Sequence, residues 1–125
     1  MLLDDFFIDS TPAPQLPKTT TEIKPEKPIL VQSYPNPFSV KLNQNGILIS
    51  YQIPAELGVS QVNLSIFNTL GQLIRELVDQ TLSPGRYEVF WDVQDETRQH
   101  LPAGVYFYRL QIGERVQTRR LVVLD

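Results

Sequence analysis

Near the end of the chain, residues 103–112 read Ala-Gly-Val-Tyr-Phe-Tyr-Arg-Leu-Gln-Ile. Successive side chains of a β-strand point to opposite faces, and β-branched and aromatic residues favour strands. One face is apolar and comprises Tyr106, Tyr108, Leu110 and Ile112, whereas the other is mixed and comprises Val105, Phe107, Arg109 and Gln111. This pattern predicts a central strand of a two-layer β-structure, packed on one side and partly hydrated on the other.

Length and composition limit the classes of protein that the chain can represent. The 125 residues are 42% hydrophobic with a net charge of -3, and most apolar residues lie from about Ile29 onward. One domain is therefore expected, and a nucleic-acid partner is not, because Lys and Arg are not in excess. The chain has no cysteine, which excludes disulfides and Cys-ligated zinc. No run reaches the roughly 18 apolar residues of a membrane span, so stable membrane insertion is not expected.

The front of the chain has the composition of a tether. Residues 1–9 carry acids where a signal peptide has a basic region, which predicts no export signal at this end. Residues 10–28 alternate proline with threonine and charge, a composition typical of an extended linker. We therefore expect a disordered linker at 1–28 and a β-sandwich domain at 29–125. A linker in front of a domain indicates a cargo domain that once preceded it; an ordinary disordered tail is the alternative.

The segment that follows the linker contains a predicted corner. Pro35 and Pro37 flank Asn36, and proline fixes φ while Asn tolerates turns. A rigid corner is expected here, with Tyr34 and Phe38 pointing into or along the sheet.

Short strand candidates separated by turn signals fill the rest of the chain. After an extended start at 29–31, they are 46–53, 62–67, 72–78, 84–91, 104–112 and 115–124, with turns at 68–71 and 113–114. Residues 72–80 have helical propensity, but they directly follow a hairpin-type turn and are predicted to be a strand. The spacing is typical of an all-β, immunoglobulin-like antiparallel sandwich of about seven strands.

Several individually weak motifs occur in a characteristic order. They are Tyr34-Pro35-Asn36-Pro37-Phe38, Ile49 to Pro54, Val62 to Asn68 with Leu70-Gly71-Gln72, Gly85-Arg86-Tyr87, Trp91-Asp92, Gly104 to Leu110 with Tyr106 and Tyr108, and Thr118-Arg119-Arg120-Leu121. Over residues 33–125 this order resembles the type A C-terminal sorting domain of the type IX secretion system. It is also similar to the immunoglobulin-like domain of the flagellar hook-capping protein family.

The resemblance implies an extracytoplasmic address rather than a catalyst. Proteins of this kind carry a cargo upstream and cross the inner membrane by a separate signal peptide. Their terminal sandwich engages the outer-membrane translocon, and a surface sortase then removes it and attaches the cargo to an anionic lipopolysaccharide. The implied destination runs from the periplasm to the cell surface or the medium. The alternative is a structural or binding sandwich, either a hook-cap-like assembly domain or a carbohydrate-binding accessory domain.

One loop departs from the family pattern. The family has glycine directly after Trp-Asp and again a few residues later, where this chain has Val93 and Arg98. Positive φ costs a β-branched residue most, so we expect Val93 to force a different turn.

Candidate chemical groups in this loop have simpler interpretations. Asp92, Asp95 and Glu96 offer oxygen ligands for Ca²⁺, but they lack the spacing of a calcium loop, so a role as turn formers is favoured. His100, the single histidine, has no nucleophile in a recognisable motif. No catalytic, cofactor-binding or metal-ligating residue is predicted, and no small-molecule ligand is expected.

Two sets of side chains allow either a surface role or a structural one. The aromatic set of Tyr87, Trp91, Tyr106 and Tyr108 offers a sugar-stacking platform, but its alternate, apolar-face positions favour the core. The basic set of Arg115, Arg119 and Arg120 offers a contact for an acidic partner, although charge on an edge strand also prevents uncontrolled pairing. The terminal hairpin at 104–125 is the expected contact for the translocon and sortase.

Overall fold

The computed structural model describes residues 30–42 and 45–125, so the linker predicted at 1–28 lies outside the described residues. The strands of this part, in chain order, are β1 (Leu30–Tyr34), β2 (Phe38–Ser39), β3 (Ile47–Ile53), β4 (Ser60–Phe67), β5 (Leu73–Leu82), β6 (Gly85–Trp91), β7 (Gly104–Ile112) and β8 (Arg115–Leu124). A short 3-10 helix, Ala55–Leu57, separates β3 from β4. Across the described residues, no helix combines the length and apolar character that crossing a membrane requires.

The strands form two sheets. One contains three strands in the order β1-β3-β6, and the other contains five in the order β2-β8-β7-β4-β5. All neighbouring strands are antiparallel except β2 and β8, which are parallel. This architecture confirms the predicted all-β sandwich, and β7 has a strand on each side, as expected for a central strand.

The core lies between the sheets and follows the alternation of the sequence. On β7 the apolar tyrosine face is buried, while the mixed face is exposed or half-buried. The alternating core residues of the strands are Ile47, Ile49, Tyr51 and Ile53 on β3, Val62, Leu64 and Ile66 on β4, Tyr106, Tyr108, Leu110 and Ile112 on β7, and Leu121 and Val123 on β8. Burial of these side chains supplies the main favourable free energy of folding.

The strand predicted at 72–78 is confirmed and is longer than expected. It spans Leu73–Leu82 and pairs antiparallel with β4 over its whole length. The turn before it is held by the side-chain oxygen of Asn68, which accepts the N–H groups of Leu70 (2.9 Å) and Gln72 (3.0 Å). Gly71 has φ 81°, a conformation that favours glycine. Turn chemistry therefore prevails over the helical propensity of the residues that follow.

The two aromatic residues of the corner, both expected to point into or along the sheet, have different environments. Phe38 is buried, whereas the Tyr34 side chain is 73% exposed and does not point into the core. Phe38 and Ser39 also form the unpredicted strand β2, which pairs with Val123 and Leu124. The reason is that the chain leaves the three-stranded sheet after Tyr34 and joins the five-stranded sheet at Phe38.

Candidate recognition surface

Two Gly-x-Tyr motifs have the same local structure. The hydroxyl of Tyr87 donates to the Ser83 carbonyl oxygen at 2.7 Å, and the hydroxyl of Tyr106 donates to the Pro102 carbonyl oxygen at 2.7 Å. The preceding glycines have φ 148° at position 85 and 155° at position 104, a region that side chains rarely adopt. These motif residues therefore shape the starts of β6 and β7.

The Trp91-Asp92 motif anchors the loop between β6 and β7. Trp91 is 1% exposed and its indole N–H donates to the carbonyl oxygen of Gln94 at 3.0 Å. Arg75 on β5 donates to the same carbonyl oxygen at 3.1 Å and forms an ion pair of 3.3 Å with Asp92. The motif thus connects the loop to the edge of the larger sheet.

The other loop acids also hold backbone groups. Asp95 accepts hydrogen bonds from the Thr97 hydroxyl (2.7 Å) and from the N–H groups of Thr97 (2.8 Å) and Gln99 (3.0 Å). The pKa of Asp95 lies below its usual value, mainly because of the hydrogen bond from the Thr97 hydroxyl and next because of the bond from the Gln99 N–H. Glu96 accepts the N–H of Glu76 on β5 at 2.9 Å.

His100 is exposed in the same loop. Its Nε2 lies 3.5 Å from the side-chain nitrogen of Gln94, and the two residues also form an isolated β-bridge. In the part of the chain that the structure describes, no group of three or more His, Cys, Asp or Glu side chains is arranged to hold a metal ion.

The expectation that Val93 forces a different turn is wrong. Val93 has φ 60° and Arg98 has φ 70°, so both adopt the left-handed conformation that glycine favours. The loop compensates for this strain by packing and hydrogen bonding. Val93 is 2% exposed and its carbonyl oxygen accepts the Leu101 N–H at 3.1 Å, while the Arg98 N–H donates to the Asp95 carbonyl oxygen at 3.0 Å.

Replacing Arg98 with glycine is expected to stabilise the domain by about 1 kcal/mol, because glycine adopts this φ without strain. Urea denaturation followed by circular dichroism measures the change. Arg98→Ala is the control: it also removes the exposed side chain but keeps Cβ, and should give no such gain. A gain of equal size in both variants would show that the side chain, and not the backbone conformation, is responsible.

The aromatic set lies mainly in the core. Trp91 is 1% exposed, Tyr108 2% and Tyr106 7%, and burial raises the pKa of Tyr106. Tyr87 is half-buried and stacks on Tyr51 with ring centroids 5.6 Å apart. The four rings therefore do not form an open platform.

The three arginines of β8 do not form one cluster, because Arg115 lies at the start of the strand and Arg119 and Arg120 lie further along it. Arg115 is half-buried and lies opposite Ile112, whereas Arg119 lies opposite Tyr108 further along the strand. Arg119 and Arg120 are both exposed. The structure brings this last pair beside the Pro35-Asn36-Pro37 corner and leaves Arg115 apart.

Asn36 connects the corner to β8. Its side-chain NH₂ group donates to the Arg120 carbonyl oxygen at 3.1 Å, and its side-chain oxygen accepts the Val122 N–H at 3.1 Å. The side-chain amide thus bonds to the backbone of β8 as a neighbouring strand would. Both of its partners precede Val123 and Leu124, the residues with which β2 pairs. This explains why asparagine, with one donor and one acceptor group, suits the middle of the corner.

A cavity of about 520 Å³, which we call the corner groove, opens beside these contacts. Residues that line it include Gln32, Ser33, Asn36, Tyr108, Arg119 and Arg120. The sequence indicated the arginines and the corner separately, but it carried no signal for Gln32 or Ser33. Their position depends on how β1 approaches β8 across the two sheets.

The described part of the chain is a two-sheet sandwich whose motif residues build turns and core, with a groove lined by two arginines at one edge. The sequence matches the family described as "Secretion system C-terminal sorting domain" over residues 32–124. The chain belongs to this family, whose members are C-terminal sorting signals of the type IX secretion system. That role implies a non-catalytic function, interaction with the secretion machinery and an extracytoplasmic or cell-surface destination.

The fold is similar to part of a solved structure from the same secretion system. That structure is PorZ, an essential bacterial surface component of the type-IX secretion system of human oral-microbiomic Porphyromonas gingivalis. The TM-score is 0.54 with 20% sequence identity, and the similarity covers 75% of this chain but 11% of the PorZ chain. At this identity the similarity shows the fold alone. No curated protein matches the sequence.

Proposed function

We propose that the domain directs a cargo attached to its N-terminal side to the outer-membrane translocon, and that a surface sortase then separates the two. The family match over residues 32–124 is the observation that carries this proposal. The inward packing of the motif aromatics supports it, because recognition then depends on the shape and charge of the outer surface. A tether of the composition found at 10–28 would let the domain be recognised independently of its cargo.

The terminal hairpin β7–β8 is the surface that we assign to this recognition. The sequence of β8 contains Arg115, Arg119 and Arg120 and no acidic residue. The whole chain has a net charge of -3, so β8 is a local excess of positive charge on a mildly acidic protein. Such a patch favours an acidic partner surface and increases its rate of association.

A reporter fusion tests the sorting role. The full chain is fused to the C-terminus of a periplasmic reporter in a host that has a type IX secretion system. We expect the reporter to reach the cell surface or the medium, and surface proteolysis of intact cells measures this. The same reporter without the domain is the control. Retention of the fusion in the periplasm at the level of the control would contradict the proposal.

A further inference from the structure

We propose that the corner groove binds a carboxylate group of an acidic peptide segment in a partner protein. The inference rests on the proposed function, because it identifies the chemistry that the terminal hairpin recognises. The residues that would hold the carboxylate are those that line the groove, namely Arg119 and Arg120 of β8 and Gln32 and Ser33 of β1.

The first argument is positional. The side chain of Asn36 bonds to the backbone of Arg120 and Val122, each at 3.1 Å. These bonds fix β8 against the corner, so the backbone that carries Arg119 and Arg120 is held beside β1. A groove whose walls are positioned before binding loses less conformational entropy when a ligand enters.

The second argument is electrostatic. Among the described residues, neither Arg119 nor Arg120 has a side-chain hydrogen bond or an ion pair. Arg75 differs, because it is paired with Asp92, and Arg109 differs because it lies over the Phe67 ring at 4.6 Å. No Asp or Glu lines the groove. Two arginines without carboxylate partners among the described residues therefore line the cavity from the two faces of β8. The planar N–H fork of a guanidinium group matches a carboxylate in geometry and charge.

The third argument is the set of neutral groups. The Ser33 hydroxyl is buried and, among the described residues, has no hydrogen-bond partner. Gln32, the preceding residue of β1, is exposed and also lines the groove. A buried hydroxyl without a partner is uncommon, and Ser33 is one of the residues that line the groove.

A short peptide fits this site better than a polyanion does. The cavity of about 520 Å³ lies within the usual range of ligand clefts. A long polyanion would also meet the acidic remainder of a chain with net charge -3, which repels it. A single acidic segment needs to meet only the arginines that line the groove and the residues of β1.

Peptide titration tests the inference directly. The full chain is titrated, by calorimetry or by NMR, with three hexapeptides of otherwise equal sequence. One is blocked at both ends and contains two glutamates, one replaces these with glutamines, and one has glutamines with a free C-terminal carboxylate. We expect a carboxylate-bearing peptide to bind at least about tenfold more tightly than the blocked glutamine peptide. Comparison of the first and third peptides distinguishes a side-chain carboxylate from a terminal one.

Matched double variants locate the site. Arg119→Gln with Arg120→Gln is expected to weaken binding about tenfold or more. Arg86→Gln with Arg98→Gln removes the same charge from exposed positions outside the groove and should change affinity by less than about twofold, since distant exposed charges are screened. Both variants should keep the wild-type melting temperature.

Three results would overturn the inference: equal binding of all three peptides, binding by none of them, or equal loss of affinity in both double variants. The reporter fusion separates this failure from failure of the sorting role. If the reporter reaches the surface but no peptide loses affinity specifically in the Arg119→Gln and Arg120→Gln variant, the sorting role is retained and the carboxylate site in the groove is rejected. A reporter that stays in the periplasm while the peptide binds rejects the sorting role and retains the groove.

Discussion

Replacing Trp91 with alanine is expected to lower the free energy of unfolding by about 3–5 kcal/mol. The indole is 1% exposed and lies in the core between the sheets, so truncation leaves a cavity that the neighbouring strands cannot fill. It also removes the hydrogen bond to the Gln94 carbonyl oxygen. Because Trp91 is the single tryptophan, urea denaturation should be followed by circular dichroism rather than by fluorescence.

Phe90→Ala is the matched control for this prediction. Phe90 is the adjacent residue of β6, but its ring is 58% exposed, and its loss should cost less than about 1 kcal/mol. If Trp91→Ala unfolds at the wild-type urea concentration, the indole does not belong to the core. The hypothesis of a sugar-stacking platform would then have to be reconsidered.

Replacing Gly46 with alanine is expected to lower the free energy of unfolding by about 1–3 kcal/mol, through crowding rather than through a cavity. A Cβ atom at this position would lie 2.4 Å from the Trp91 carbonyl oxygen and 2.5 Å from Cζ of Phe90. The ring of Phe90 can move, but the carbonyl belongs to the β3–β6 ladder, where Ile47 pairs with Trp91. Chemical denaturation and the dispersion of the β6 amide signals in NMR spectra both report the change.

Asn45→Ala serves as the control, because Asn45 is the exposed neighbour of Gly46 and should change stability by less than about 0.5 kcal/mol. Adding Phe90→Ala to Gly46→Ala should recover the part of the loss that comes from the ring. Wild-type stability of the single Gly46→Ala variant would show that β3 and β6 are further apart at this point than the structure places them.

The sequence predicted those features that depend on local periodicity. Alternation along β7 identified Tyr106, Tyr108 and Leu110 as core residues, because a period of two maps directly onto the two faces of a strand. Asn68 and Gly71 predicted the turn that makes β5 a strand, because their side-chain and backbone chemistry acts within a few residues.

Features that depend on distant parts of the chain were not predictable in this way. A two-residue strand such as β2 has no periodicity, and its parallel partner lies at the other end of the sequence. The turn at Val93 was mispredicted because the local cost of positive φ was known, while the burial and the Leu101 hydrogen bond that offset it were not. The groove beside Arg119 likewise exists only because two sheets meet there.

The corner between β1 and β2 also determines how the domain would respond to mechanical pulling. Tension applied at the N-terminal end of β1 passes Tyr34 and reaches the larger sheet at Phe38. There it meets the parallel ladder of β2 with β8 and the two bonds of Asn36. If β1 were pulled away from β3, the five-stranded sheet would still resist the force through β2. We therefore expect β1 to detach before the core between the two sheets is exposed.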